Sequence, residues 1–174
     1  MRKTSHEKIV ARQKEKSKIA RLPFVVVLSD IRSLHNVGSI FRTCDAVGVE
    51  KLWLCGITGY PPNKQLCKTS LGAEDCVNWE NAANAAEVVA KYKNKGYTIA
   101  FLEQMEGSLN YADYAGRHPV CLVVGNEVKG VDDALIPFCD VALEIEMMGI
   151  KNSLNASVAF GIVAYHLRKC LIHA

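Results

Sequence analysis

Residues 145–166 read IEMMGIKNSLNASVAFGIVAYH, and the rest of the chain is arranged around them. An apolar strand ends near Ile145, Gly149 permits a bend, and Ser153-Leu154-Asn155 opens a helix that runs almost to the C-terminus. Leu154, Val158, Gly161, Ile162 and Tyr165 recur at helical spacing, so this reading packs that face against the body. Ser153 and Asn155 stand at the helix mouth, where backbone N–H groups lack intrahelical partners and short polar side chains gather. Helix capping accounts for both residues when they are taken alone.

Upstream, strand and helix patterns alternate. Phe24–Leu28 (FVVVL) is a continuous apolar run of the kind buried on both faces of a sheet. A loop holding Asp30, Arg32 and His35 follows, then a helix that begins near Asn36 and stops at Gly48. Ile40, Cys44 and Val47 form the buried stripe of that helix; at about 100° per residue, Arg42 lies on the opposite side. LWLC is the second strand. Residues 56–79 form a long connection whose Gly, Pro and Asn mark turns, with Lys64, Lys68, Thr69 and Ser70 as candidate phosphate contacts or as plain surface. A helix over Asn81–Gly96, a third strand YTIAFLE, a mixed connection with two packing tyrosines and a fourth strand Val120–Gly125 come next. A short helix within NEVKGVDDALIPFC and a fifth strand VALEI complete the pattern before the closing helix. The expected fold is α/β, a mainly parallel sheet covered by helices.

The chain has 174 residues, enough for one domain with a substantial core. No apolar stretch is long enough to span a bilayer, and the charged start MRKTSHEKIV is not a secretory signal, so a cytoplasmic address without a membrane is expected. Charge is unevenly placed. Residues 1–22 hold eight of the 21 basic residues and two of the 18 acidic ones, a formal +6 against −3 for residues 23–174. That divides the chain into a basic N-terminal arm or helix (1–22) and a single domain (23–174). A basic arm on a mildly acidic body points to a polyanion; a solvated, frayed helix explains the arm equally well. The seven cysteines show no C-x-x-C pair and no zinc-finger spacing to histidine, so reduced, mostly buried thiols are expected and no metal.

The most ligand-like loop is Gly125-Asn126-Glu127-Val128-Lys129-Gly130, directly after a strand. It has G-x-x-x-x-G, but Val131 and Asp132 stand where a triphosphate loop needs Lys and Ser/Thr. The first strand is not followed by G-x-G-x-x-G, which disfavours a dinucleotide site. What remains is a ligand held by backbone groups near Gly125 and Gly149, with Glu127 beside it to receive a cation or orient a hydroxyl.

Three clusters therefore need one explanation: Asn36…Arg42, Gly125…Glu127…Gly130 and Ser153-Leu154-Asn155. Together they resemble the SpoU branch of the SPOUT RNA methyltransferases. NVGSIFRTCDAVGV is similar to the first family motif, VVGNEVKGV to the second and IEMMGIKNSLNASVA to the third, in the family's order, over the chain from Phe24 onward. The resemblance implies a parallel sheet with a deep trefoil knot in its C-terminal part, a homodimer, and S-adenosylmethionine (SAM) bound in the knot. It implies methyl transfer to a ribose 2′-hydroxyl of structured RNA, tRNA favoured over rRNA. Alternatives are an RNA-binding protein of the same fold without catalysis, or a base-methylating SPOUT enzyme. By position in the motifs, Leu102, Gly125, Ile145, Ser153 and Leu154 would line the cofactor pocket. Asn36, Arg42, Glu127, Ser153 and Asn155 would be the catalytic and substrate positions. The resemblance gives Arg42 a part in removing the hydroxyl proton. A guanidinium holds its own proton to a pKa above about 12, so Arg42 is read as a phosphate clamp. Ser153 and Asn155 would hold Glu127 and the loops in register, and Asn36 would orient Arg42 or the ribose. Glu146 stands where the third motif commonly has proline.

Overall fold

The computed structural model describes residues 3–16, 20–116 and 118–172. Seven strands, β1 (Leu22–Ser29), β2 (Val49–Cys55), β3 (Trp79–Ala82), β4 (Thr98–Leu102), β5 (Leu109–Asn110), β6 (Val120–Val124) and β7 (Val141–Glu144), form one sheet in the order β3-β2-β1-β6-β4-β7-β5. Every pairing is parallel. β1 shows why a parallel sheet forms. Phe24, Val26 and Leu28 enter the core on one face, Val25 and Val27 the core on the other. All five are completely buried, each contributing roughly 1.5–3 kcal/mol.

Five helices accompany the sheet: α1 (His6–Lys16), α2 (Leu34–Val47), α3 (Lys64–Ser70), α4 (Ala85–Asn94) and α5 (Ala156–Ile172). α2, α3 and α5 cover the face that receives Phe24, and α4 with the 3-10 turn Asp133–Phe138 covers the other. Among the described side chains of α1, all but Val10 are exposed. Residues 1, 2 and 17–19 of the predicted arm lie outside the described residues.

Several boundaries differ from the sequence reading. Pro23 lies inside β1 instead of before it. Its missing N–H coincides with a register irregularity against β2 between Leu22 and Val25. The 56–79 connection contains α3 and the start of β3, hidden by their turn-forming composition. Asn81 belongs to β3; the cap of α4 is Asn84, whose side chain accepts from the Ala86 N–H. β5 is two residues long, too short to leave a period. Thr69 and Ser70 are not free for phosphate in this arrangement. Both donate to the Leu66 carbonyl, and Ser70 is buried where α3 meets Gly38 of α2.

The closing helix needs the largest correction. It begins at Ala156, and Phe160, Val163, Ala164, Leu167 and Leu171 form its buried face. Val158 and Tyr165, expected inside, are about half exposed, and Leu154 precedes the helix. α5 is apolar on both sides, so its spacing alone could not decide which face meets the sheet.

Candidate functional site at the strand ends

β1 leads to β2 on one side of the sheet and its neighbour β6 leads to β7 on the other. Where adjacent strands send their chains apart, a crevice opens beyond their carboxyl ends. A cavity of about 820 Å³ lies there, within the range of small-molecule sites. Its walls come from the segments after β1, β4, β6 and β7 and from the start of α5.

The loop after β6 is a closed turn. Asn126 and Gly130 exchange two backbone hydrogen bonds of 2.9 Å, and Asn126 Oδ1 accepts from the Val128 and Lys129 N–H groups. Asn126 Nδ2 donates to the Asp30 carbonyl at 2.7 Å, tying this turn to the end of β1. Gly125 is required by the turn itself: a Cβ there would stand 2.3 Å from the Gly130 carbonyl carbon and the Val131 nitrogen.

This turn carries Glu127 across to β1. Its Oε2 accepts from the Arg32 N–H at 2.9 Å, and its Oε1 accepts from the Ser33 N–H at 3.1 Å and Asn36 Nδ2 at 2.9 Å. The Asn36 oxygen then accepts from Asn155 Nδ2 at 3.0 Å, and Asn155 Oδ1 caps the first turn of α5 through Ser157 and Val158. One hydrogen-bonded chain thus joins the first motif, the second and the third. Its polarity is dictated at both ends, because a carboxylate only accepts and helix amides only donate. Desolvation alone would raise the Glu127 pKa. The hydrogen bonds from Arg32, Asn36 and Ser33 outweigh it and hold the carboxyl below its ordinary value. Glu127 is therefore an ionised carboxylate held by three donors, and a weak base.

Of the positions picked from sequence, Asn36, Leu102, Gly125, Glu127, Ile145, Ser153, Leu154 and Asn155 all line the cavity. Arg42 does not. It is exposed on α2, six residues beyond Asn36, which puts it roughly 9 Å further along the helix axis and about 120° around it. Within one chain Asn36 bonds Glu127 and Asn155, not Arg42, and Asn155 reaches Glu127 only through Asn36. Ser153 is exposed at the cavity wall. Gly149, offered as a backbone ligand, is not among the lining residues.

The sequence reading missed Asn126, Ser33 and Gln104. Ser33 is the N-cap of α2, and Gln104 Nε2 donates to the Asn152 carbonyl at 2.7 Å, fastening the 145–155 segment over the cavity. The spacing of Asn126 to Gly130 carries a turn signature that could have been recognised; a glutamine holding a distant carbonyl leaves no local trace. The cysteines follow expectation in part. Cys44, Cys55 and Cys121 are buried, and burial pushes their thiols up, Cys55 to about 12, so they are unreactive. Cys67, Cys139 and Cys170 are half-buried and Cys76 is exposed.

A parallel sheet with a polar, glycine-turned crevice at its switch point defines an α/β ligand-binding domain, and comparison with known proteins makes the class specific. The model of the SpoU rRNA Methylase family matches residues 23–165, and the chain belongs to that family. It is 31% identical over 163 residues to the tRNA (guanosine(18)-2′-O)-methyltransferase of Aquifex aeolicus, covering 94% of this chain and 77% of that one. It is 32% identical over 161 residues to a Staphylococcus haemolyticus protein assigned to the TrmH family of tRNA/rRNA methyltransferases. That match covers 92% of this chain but only 63% of the relative's length. Among solved structures, the A. aeolicus TrmH/SpoU tRNA modifying enzyme superposes with a TM-score of 0.83 at 30% identity, over 96% of this chain and 84% of that one. An AdoMet-bound rRNA methyltransferase from Sinorhizobium meliloti gives 0.78 at 25% identity, over 89% and 60%. The fold is of the SPOUT class. Among the described residues no helix is long and apolar enough to cross a membrane, and no three His, Cys, Asp or Glu side chains stand together to hold a metal.

Proposed function

We propose that this protein transfers the methyl group of SAM to a ribose 2′-hydroxyl of RNA, with tRNA as the substrate class. The observation that carries the reading is the convergence of the three motifs on one cavity through the chain Asn155–Asn36–Glu127. The Aquifex relative supports both the ribose and the tRNA.

The cavity suits SAM. Leu102, Ile145, Leu154 and Ala159 supply apolar wall, strand-end backbone supplies hydrogen-bonding groups, and the Glu103, Glu127 and Glu144 carboxylates suit a cationic ligand. When bound there, SAM supplies an activated methyl group on sulfonium sulfur. The chain's own work is then alignment and charge placement. Glu127, held ionised, fixes the backbone of Arg32 and Ser33 and so shapes the edge at which a ribose would enter. Because its pKa is lowered by the donors that hold it, it is a poor acceptor for the hydroxyl proton. Arg42 clamps a phosphate next to the reacting ribose through its two-pronged guanidinium, and its positive charge favours the 2′-oxyanion as it forms, the hydroxyl proton passing to water.

Since Arg42 lies outside its own chain's cavity, the reading brings it to the site from a second copy. The exposed apolar groups Met148, Ile150, Val158 and Tyr165 beside the site are the surface a homodimer would cover. The basic segment 1–22 attracts RNA, residues 23–174 form the catalytic domain with the knotted C-terminal part, and the address is cytoplasmic. Incubation with methyl-labelled SAM and separate tRNA and rRNA pools lacking the modification tests this. Label entering a 2′-O-methyl nucleoside of tRNA is expected. Label in a methylated base, or cofactor binding without transfer to either pool, would replace the reading with a base methyltransferase or a binding protein.

A further inference from the structure

A second cavity of about 690 Å³ lies on the other side of the 126–130 turn and shares Arg32, Asn126, Val128 and Gly130 with the first. Its remaining walls are Asp30, Ile57, Lys129, Val131, Asp132 and Asp133. We propose that it receives the base of the nucleotide whose ribose is methylated, and that Asp30 selects guanine there. The inference rests on the reading of RNA ribose methylation given above.

The two cavities are separated by one turn, so a nucleotide with its ribose at Glu127 has its base within reach of the second. The rim suits a base. Ile57 and Val128, both aliphatic and two-thirds or more exposed, are among its walls. Apolar side chains of this kind flank bases that have left a stack. The polar lining suits one base in particular. Three carboxylates, Asp30, Asp132 and Asp133, outnumber the two cations on the walls, Arg32 and Lys129, so the cavity favours a ligand rich in donors over a bare phosphate. They do not gather as metal ligands. Guanine alone among the four bases presents adjacent N–H donors, N1–H and N2–H, that meet one carboxylate side by side.

Asp30 is the carboxylate built for that contact. It is half-buried, whereas Asp132 and Asp133 are exposed. Asp132 also caps the following turn through the Ala134 N–H. Asp30 Oδ1 accepts from the Ile57 N–H at 2.9 Å, its carbonyl accepts from Asn126, and its Oδ2 has no hydrogen-bond partner among the described residues. The backbone is held at φ 58, a left-handed conformation uncommon for a residue with a side chain. Gly56 makes room for it, since a Cβ there would stand 2.1 Å from Asp30 Oδ1.

The test is nuclear magnetic resonance of the full-length, isotope-labelled protein, saturated with S-adenosylhomocysteine and titrated with the trinucleotides ApGpA and ApUpA. ApGpA is expected to shift the amides of Ile57, Val128 and Asp132 and to bind at least tenfold more tightly than ApUpA. Asp30→Asn keeps an oxygen for the Ile57 N–H and tolerates positive φ, so the fold survives, but it turns an amide donor toward the guanine donors. The tenfold preference is expected to vanish in that variant while the shifts caused by S-adenosylhomocysteine stay as in the parent. Val128→Ala, which trims one wall, is expected to weaken both trinucleotides alike. Equal affinity for the two trinucleotides, shifts confined elsewhere or absent, or a preference that survives Asp30→Asn would overturn the proposal. The readout is binding, so a failure of methyl transfer would remove the proposed reaction without moving this result.

Discussion

Asn36 Nδ2 donates to Oε1 of Glu127 at 2.9 Å, joining residues 91 positions apart in sequence, and the same amide accepts from Asn155 on its other side. The end of one strand, the turn after its neighbour and the start of the last helix are thereby held in one geometry. Removing the middle member breaks both bonds. Asn36→Ala is expected to destabilise the protein by about 1–3 kcal/mol, because a partly buried amide and carboxylate each lose a partner. Thermal or urea denaturation measures it. The double variant with Asn155→Ala should cost clearly less than the two single losses added, since both remove the same bond.

The charge state of Glu127 gives a pH signature. Its folded pKa lies below the ordinary value of 4.5, so the unfolded chain binds this proton more readily than the folded one. The stabilisation is therefore complete above about pH 4.5 and is lost as pH falls through the folded pKa. Urea unfolding of the wild type and Glu127→Gln from pH 7 to pH 3 is expected to show a stability difference that is constant near neutrality and narrows in acid. A gap independent of pH would mean the carboxylate is not held by these donors. Asp140 sits in a similar state, with its pKa lowered despite desolvation by Lys93 and the Ile99 N–H, so the comparison must be made at this one position.

Gly125 and Gly149 both looked like ligand-contacting glycines, and they should separate on substitution. Gly125→Ala forces backbone against backbone at 2.3 Å and is expected to cost about 1–3 kcal/mol and to weaken SAM binding at least tenfold. Gly149 has nothing within 4 Å of the added carbon and no positive φ, so Gly149→Ala should be silent in calorimetry of both folding and cofactor binding.

Much of this was legible in the sequence because it depends on short-range pattern. The alternation of buried strands and helices set the sheet, and the glycine after Val47 ended α2 in the left-handed conformation at φ 77; that the three motifs meet at one crevice was implied by the family resemblance, since the spacing of Ser153 and Asn155 alone reads as helix capping. What was not legible depends on which of two acceptable partners a segment meets. α5 is apolar on both faces, so the contact of Phe160 and Leu167 with the sheet had to be seen. The Asn81–Gly96 segment offers three asparagines, at 81, 84 and 94, and only packing selects Asn84 as the cap. The place of Arg42 was read correctly as the exposed side of α2. Its distance from Asn36 could not be weighed until the cavity was located.

That distance makes Arg42 the residue with the least ambiguous expectation. Arg42→Lys keeps the charge and loses the two-pronged donor geometry. Turnover is expected to fall at least tenfold with SAM affinity unchanged, because the side chain does not touch the cofactor cavity. Tyr165→Asp places a charge on the exposed face of α5 where the proposed homodimer would pack; it is expected to abolish turnover in the same assay and to leave only the 19.1 kDa monomer in sedimentation.

The central claim is that the methyl group goes to ribose. The most direct measurement is alkaline hydrolysis of RNA labelled by this protein from methyl-labelled SAM, followed by separation of mononucleotides from dinucleotides. A 2′-O-methyl group blocks cleavage of the adjoining linkage, so the label is expected in an alkali-resistant dinucleotide. Label released entirely as mononucleotide would place the methyl on a base and contradict the account.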